Sequence, residues 1–410
     1  MATLFLVIIY LAFISLGLPD SLLGVAWPVM HVEMEVPMEI AGLISMFIAG
    51  STIVSSLASG FFIKRLGTGK ITLISCIMTA GALLGFSTSP SLLGLVLLSV
   101  PLGLGAGSVD SALNNYVANH YKAHHMSWLH CFWGVGATTG PIIMSYFIKQ
   151  QNSWRNGYFA VALLQFLLVA VLFVTLPLWG KMEKINQKRH ESSETEREEN
   201  TGAPPAAVDR ESLFKIKGVV LSMLSFLFYC GAESTMGLWG SSFLVNIRNI
   251  PVATAAAWVS LYYGGITVGR FITGFITMKV SNKMLIRCGQ LTAFSGALLL
   301  LLPLPDIFSL GGFILVGLGC APIFPCLIHE TPVRFGKANS HVLIGFQMAC
   351  AYTGSTFLPP LLGFIAARTT MAVFPFFVLF YIVSMLAGAE RINRIIKNRQ
   401  RTKAIEAEEI

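Results

Sequence analysis

The chain has 410 residues, of which 54% are hydrophobic and only 12% are charged, and its formal net charge is +8. Its mean hydropathy is +0.70. Soluble domains carry about 25% charged residues, so this composition excludes an ordinary soluble protein and predicts a polytopic membrane protein.

Twelve stretches are apolar over roughly the 20 residues that a transmembrane helix needs. We number them as spans 1 to 12 and predict an all-α membrane protein. They lie near residues 3–31, 38–63, 71–89, 91–119, 127–149, 156–179, 215–246, 253–278, 285–303, 307–331, 340–367 and 371–389. Several are longer than the bilayer is thick, which predicts tilt or kinks. The expected kink points are Pro19, Pro28, Pro101, Pro322 and Pro325.

Lys and Arg are distributed unequally between the loops. Span 1 lacks a basic segment before it and is long enough to cross the membrane, so we expect it to be retained rather than cleaved as a signal peptide. With the N-terminus in the cytosol, 23 Lys and Arg residues fall in inner loops and tails, and four fall in outer loops. Cytosolic loops carry such an excess, so we predict a multi-pass protein of the cell membrane with both termini cytosolic. This bias accounts for the net charge, and no nucleic-acid partner is expected.

The two halves of the chain repeat each other. Shifting the sequence by 214 residues aligns six pairs of glycines, where composition predicts about two. The pairs are Gly17 with Gly231, Gly50 with Gly264, Gly60 with Gly274, Gly103 with Gly317, Gly105 with Gly319, and Gly140 with Gly354. We therefore predict two pseudo-symmetric six-helix bundles. Parallel half-repeats place a solute site at their interface near the membrane midplane, so transport is the first functional hypothesis.

The repeat also sets the predicted domain boundaries. The two bundles are expected at residues 1–180 and 213–390. Residues 181–212 form a charged linker that we predict to be cytosolic and flexible. Residues 391–410 form a cytosolic tail, which we expect to be a short solvated helix in contact with anionic lipid.

Four charged residues lie well inside the spans, away from their ends, namely Asp20, Asp110, Glu233 and Arg270. A charge at the centre of a span costs about 2.5 to 3.5 kcal/mol, so we expect these groups to face a polar cavity or to pair with each other. A low-dielectric site favours the neutral form of an acid, and a proton carrier needs an acid that exchanges its proton. Asp20, Asp110 and Glu233 are therefore the predicted proton-coupling residues. Arg270 is predicted to extend inward or to pair with Glu330, with a role in gating.

Several side chains suit a sugar ligand, because aromatic rings stack on its C–H faces while amides and carboxylates bond its hydroxyls. Tyr262 and Tyr263 are adjacent in span 8, and Tyr262 is the one assigned to the site. The predicted substrate-binding residues are Asp20, Trp27, Asp110, Asn114, Trp133, Gln165, Glu233, Trp239, Tyr262 and Gln347. Each aromatic taken alone fits equally well a residue of the core or of the lipid-facing surface.

The sequence gives no sign of a cofactor. Four histidines, His120, His124, His125 and His130, lie around the turn between spans 4 and 5, but no carboxylate or cysteine completes a metal site there. They are interpreted as loop histidines. The seven cysteines form no C-x-x-C pair and are interpreted as packing residues. The glycines near Gly103 fit no phosphate or dinucleotide motif, so close helix packing explains them better.

Twelve spans in two halves with a charged central loop resemble the major facilitator superfamily. The signature of that family between helices 2 and 3 is approximated by Gly60, Lys64, Arg65, Gly67 and Lys70. The family has an acid at the position of Lys64, and this departure bears on the usual inner-gate ion pair. The resemblance implies that Lys64 and Arg65 belong to the inner gate.

Four short motifs are similar to the fucose permease and glucose/mannose symporter branch of that superfamily. They are Gly17 to Asp20, Gly105 to Asn114, Leu129 to Gly136, and Tyr229 to Glu233. In that branch, acids at the positions of Asp20 and Asp110 are tied to proton coupling and sugar recognition, and the second position often holds Glu.

We therefore predict a monomeric secondary transporter that moves a small polar solute, most simply a sugar, with protons by alternating access. The alternatives are proton-coupled efflux of amphipathic compounds and a solute sensor that binds without net flux. An intramembrane enzyme would need a pair of catalytic residues within a span, and the sequence has no such motif, so an enzyme is not expected.

Overall fold

The computed structural model describes residues 2–121, 123–197, 214–277 and 279–408, and these fold almost entirely into helices, with no strand among them. The predicted all-α membrane fold is confirmed. The helices are α1 (Ala2–Asp20), α2 (Leu22–Glu33), α3 (Ile40–Leu66), α4 (Thr68–Thr88), α5 (Leu92–His120), α6 (Ala123–Gln151), α7 (Trp154–Arg197), α8 (Val219–Arg248), α9 (Val252–Ile276), α10 (Asn282–Leu301), α11 (Asp306–Cys320), α12 (Ile323–Phe335), α13 (Lys337–Arg368) and α14 (Phe374–Glu408).

Two of the twelve predicted spans are each divided into two helices. Span 1 is interrupted at Ser21 and span 10 is interrupted after Cys320. Pro19 and Pro322 lie at these interruptions, as expected for a residue that has no N–H to donate. Pro101 lies inside α5, which continues without a break. The first interruption leaves Asp20 at the end of α1, in the middle of the bundle.

Within the described residues, eleven helical stretches are long and apolar enough to cross a bilayer. The remaining predicted span is α9, which is 25 residues long and carries Arg270. It packs along α6 of the other half, where Ser260 and Thr267 contact Thr138.

Two helices extend further than the sequence analysis predicts. The last helix of the first half, α7, continues to Arg197, so the first part of the linker at 181–212 is helical. Residues 198–213, which include the rest of the linker, lie outside the described residues. The last helix, α14, runs to Glu408 without a break, so the tail continues span 12 rather than forming a separate helix. Both extensions are rich in Lys, Arg and Glu, which are good helix formers.

The repeat found in the sequence recurs in the helix packing. Two glycine contacts of the first half have counterparts displaced by 214 residues in the second half. The pairs are Gly103 on the Ile48 carbonyl with Gly317 on the Tyr262 carbonyl, and Gly105 on the Ser75 carbonyl with Gly319 on the Gly289 carbonyl. A Cβ at any of these glycines would overlap the partner backbone, so glycine permits the close approach. Gly136 and Gly140 place α6 against α1 in the same way.

The two halves contact each other on one side of the membrane region. We call the face where α1 begins and α14 ends the terminal face, and the opposite face the far face. Gly24 packs against the Gly237 carbonyl, and Gly42 packs against Pro360 near the far-face ends of α3 and α13. The halves are therefore closed together over the far side.

Candidate functional site

A cavity of about 870 Å³ lies between the two halves. It is lined by α1, α2, α3, α5 and α6 of the first half and by α8, α9, α12 and α13 of the second. Thr277 and Asn282, which flank the turn between α9 and α10, also line it. Since that turn lies on the terminal face, the cavity extends to that face, whereas the far side is closed.

The two halves contribute equivalent positions to the cavity wall. Six lining residues of the first half have their repeat counterparts, 214 positions later, in the lining of the second half. The pairs are Leu16 and Cys230, Pro19 and Glu233, Asp20 and Ser234, Gly24 and Leu238, Ala49 and Tyr263, and Asp110 and Phe324. The cavity therefore lies on the pseudo-symmetry axis that relates the halves.

The three predicted acids, Asp20, Asp110 and Glu233, all line this cavity. The interruption after α1 leaves the Asp20 carboxylate exposed to the cavity although it lies deep in the bundle. The Trp133 indole nitrogen donates a hydrogen bond of 2.7 Å to the Asp20 carboxylate. The Asn114 amide, one helical turn beyond Asp110, donates a bond of 2.8 Å to the Asp110 carboxylate. Both contacts are made by neutral donors.

Glu233 differs from the other two acids because it pairs with a cation. The Arg270 guanidinium lies 3.3 Å from the Glu233 carboxylate, and the two side chains are 13% and 17% exposed. The predicted pair of Arg270 with Glu330 does not form. Glu330 instead accepts a bond of 2.9 Å from Arg334, one turn further along the same helix. Arg270 thus meets an acid at its own depth, on the neighbouring α8.

Trp133 is in contact with both halves of the protein. Its ring centroid lies 5.2 Å from the Arg270 guanidinium carbon and 6.3 Å from the centroid of Tyr263, in an edge-on arrangement. A cation at this distance from an indole face is attracted by the ring electrons. The cavity therefore has an aromatic and charged centre made from α1, α6, α8 and α9.

Trp27 and Trp239, two predicted substrate-binding residues, do not line the cavity. Both are fully buried in the hydrophobic core. Their indole nitrogens donate bonds of 2.7 Å to the backbone carbonyls of Met38 and Pro359. A large ring with one polar edge is well suited to fill a core once that edge has an acceptor.

The two predicted amides, Gln165 and Gln347, are also buried away from the cavity. Gln165 donates to the Ser15 carbonyl, which joins α7 to α1. Gln347 donates a bond of 2.8 Å to the Ser222 hydroxyl. Both amides satisfy polar groups inside one half of the protein.

Two further predictions are changed by the orientation of side chains, and the gating role of Arg65 stays a prediction. Tyr262 points its hydroxyl to the Glu233 backbone carbonyl at 3.3 Å, and it is the adjacent Tyr263 that lines the cavity. Asn114 lies behind Asp110 and does not line the cavity. The Arg65 guanidinium lies 4.2 Å from the Phe61 ring centroid of its own helix.

Some predictions fall on side chains that the structure does not describe. These are the gating residue Lys64 and the histidines His120 and His124. His130, interpreted from sequence as a loop residue, lies instead in the cavity wall. His130 and Tyr263 are cavity residues that the sequence analysis did not assign to the site. Each has a signal in the sequence: His130 precedes Trp133 by nearly one helical turn, and Tyr263 is the repeat counterpart of Ala49, which also lines the cavity.

Two related six-helix bundles around a central cavity, open to one face and closed to the other, define a membrane transporter. Residues 9–359 match the Major Facilitator Superfamily, and the chain belongs to that family. Its relatives and fold are those of transporters rather than enzymes.

Similar proteins include transporters of sugars. The chain is 24% identical over 265 residues to the glucose/mannose transporter GlcP of Bacillus subtilis, covering 64% of this chain and 63% of the relative. It is 23% identical over 272 residues to a putative glucose/galactose transporter of Helicobacter pylori, covering 61% and 60%. These matches thus span less than two thirds of each relative. In fold, the chain is similar to a crystal structure of the nucleoside transporter NupG, with a TM-score of 0.72, 14% identity, and coverage of 94% and 98%.

Proposed function

We propose that this transporter moves a sugar together with protons by alternating access. The observation that carries the proposal is the pair of cavity carboxylates, Asp20 and Asp110, which are held by neutral N–H donors rather than by cations. Within the membrane region, a carboxylate without a cation partner is costly when it is ionised. Uptake of a proton removes that charge and so favours reorientation of the loaded carrier.

Glu233 has a different part in this mechanism. Its charge is already balanced by Arg270 at 3.3 Å, so the pair contributes no net charge to the cavity. We therefore assign proton coupling to Asp20 and Asp110. We assign a structural role to the Glu233–Arg270 ion pair, which fixes the position of these two side chains in the second half of the site.

The sugar assignment depends on the aromatic centre and on the relatives. Trp133 and Tyr263 offer rings from opposite halves, and the nearby carboxylates accept hydrogen bonds from hydroxyls. The cavity volume of about 870 Å³ lies within the range of about 300 to 1,000 Å³ for small-molecule sites. The relatives named for glucose, mannose and galactose make hexoses the first substrates to test.

The distribution of Lys and Arg indicates which face of the protein is cytosolic. The terminal face carries 23 of these residues in its loops and tails, against four on the far face. We therefore propose that the terminal face is cytosolic, that the protein functions as a monomer in the cell membrane, and that this conformation is open to the cytosol.

The test is uptake of labelled glucose, mannose and galactose into proteoliposomes, with and without an inward proton gradient. Asp110→Asn should abolish stimulation by the gradient. Asp306→Asn is the matched control, because Asp306 lies at the far-face start of α11 and does not line the cavity. Uptake that ignores the gradient across a broad sugar panel would refute the proposal, and binding without flux would indicate a sensor.

A second candidate is proton-coupled efflux of amphipathic compounds. It is favoured by the apolar part of the cavity wall, which includes Phe13, Leu102, Phe324 and Met348. The two candidates differ in proton movement. Symport predicts that substrate makes the external medium alkaline, whereas antiport predicts that an amphipathic compound accelerates proton release from acid-loaded cells.

A further inference from the structure

Four side chains form a continuous series of contacts from one half of the protein to the other. The Asp20 carboxylate accepts a bond of 2.7 Å from the Trp133 indole. The Trp133 ring lies 5.2 Å from the Arg270 guanidinium carbon, and Arg270 pairs with Glu233 at 3.3 Å. Asp20 and Trp133 belong to the first half, and Arg270 and Glu233 belong to the second. The contact of Trp133 with Arg270 therefore crosses between the halves.

We infer that Trp133 is a positioning residue that transmits the protonation state of Asp20 to the Arg270–Glu233 pair. This inference rests on the proton-coupled transport proposed above. An indole ring makes two kinds of contact at once, because its N–H edge donates to an acceptor while its face attracts a cation. The bond to Asp20 fixes the rotation of the ring and so fixes the surface that faces Arg270.

Protonation of Asp20 changes both ends of this contact. A hydrogen bond to an ionised acceptor is about twice as strong as one between neutral groups. A neutral Asp20 therefore holds the indole less firmly, and the cavity that Asp20 and Arg270 both line loses one negative charge. The attraction of Arg270 to Glu233 then becomes a larger share of what stabilises the guanidinium. A proton bound in the first half therefore alters an ion pair in the second.

Other groups that can carry charge face the same space. They are Asp110 on α5, His130 on α6, Cys230 on α8, Tyr263 on α9, His329 on α12 and Tyr352 on α13. Asp110 is bonded to Asn114, and His130 has its ring 5.8 Å from Phe13. Among the side-chain contacts found in the described ranges, Trp133 is the one that joins Asp20 to Arg270.

The first test measures proton binding at Asp20 in purified protein in lipid nanodiscs. Infrared difference titration, with Asp20→Asn as the reference, gives the pH at which the Asp20 carboxyl group is half protonated. Trp133→Phe keeps a ring but removes the N–H donor that stabilises the ionised carboxylate. We expect this midpoint to rise by about one pH unit. Trp239→Phe is the matched control, because it removes an indole bond of the same 2.7 Å length outside the cavity and should leave the midpoint unchanged.

The second test asks whether the effect reaches the other half. Glu233→Gln frees Arg270 from its partner and should lower the Asp20 midpoint when Trp133 is present. In a Trp133→Leu background, which lacks the ring, the same change should move the midpoint by less than half as much. Equal shifts in both backgrounds would mean that Glu233 acts directly through its electric field, and this would overturn the inference.

An unchanged midpoint in Trp133→Phe would overturn it as well. Because the titration needs no solute, it remains informative if no sugar is transported. Failure of uptake in the unmodified protein would refute the proposed function, whereas failure of the titration predictions would refute the role of Trp133. If Trp133→Leu does not yield folded protein, the comparison is made in the Trp133→Phe background. There, a Glu233→Gln shift of the Asp20 midpoint that is smaller than in the unmodified protein supports the inference, and an equal shift refutes it.

Discussion

Removal of either charge of the Glu233–Arg270 pair should destabilise the protein, whereas removal of both should not. At 3.3 Å separation, two unit charges attract by about 5 kcal/mol with an effective dielectric constant of about 20. Breaking a fully buried pair costs about 3 to 5 kcal/mol. These side chains are 13% and 17% exposed to the cavity, so water stabilises the remaining charge in part. We expect Glu233→Gln and Arg270→Gln each to cost about 2 to 3 kcal/mol.

The double variant leaves two neutral amides and should lie within about 1 kcal/mol of the unmodified protein. The assay is reversible unfolding in mixed micelles with increasing denaturing detergent, which gives the free energy of unfolding. A double variant that is destabilised by the sum of the single changes would refute the pairing.

Three further outcomes follow from the packing and from the cavity. Gly103→Ala and Gly317→Ala should each lower the free energy of unfolding by about 1 to 3 kcal/mol, because a Cβ would meet backbone. Gly81 has open space around it, so Gly81→Ala should raise the free energy of unfolding by up to about 1 kcal/mol. Thermal unfolding measures all three variants. Gly274→Leu adds bulk at an unoccupied point of the terminal-side wall, so it should block closure of that side and abolish uptake while solute binding, measured by calorimetry, persists. Asn114→Ala removes the donor to Asp110, so the pH of half-maximal uptake should rise by about one unit, and an unchanged pH profile would contradict this role.

Much of the fold was predictable because its causes are local in sequence. A stretch of apolar residues long enough to cross a bilayer specifies a helix without reference to its neighbours. The glycine register indicated the two halves, and at Gly103 and Gly105 it marks close helix contacts that recur at Gly317 and Gly319 in the second half. Because burying a charge in a membrane is costly, Asp20, Asp110 and Glu233 could be predicted from the sequence to line a polar cavity.

The sequence by itself determined the membrane class, the two-fold repeat and the three cavity acids. Tertiary structure alone decided which aromatic side chains face the cavity and which acid pairs with Arg270. Tyr262 and Tyr263 are adjacent, yet one is buried against α8 and the other lines the cavity, because successive residues of a helix point about 100° apart. The rotation of α9 that separates them is set by its packing on α6 and α11. Periodicity records which residues share a face, but only the surrounding helices determine what that face touches.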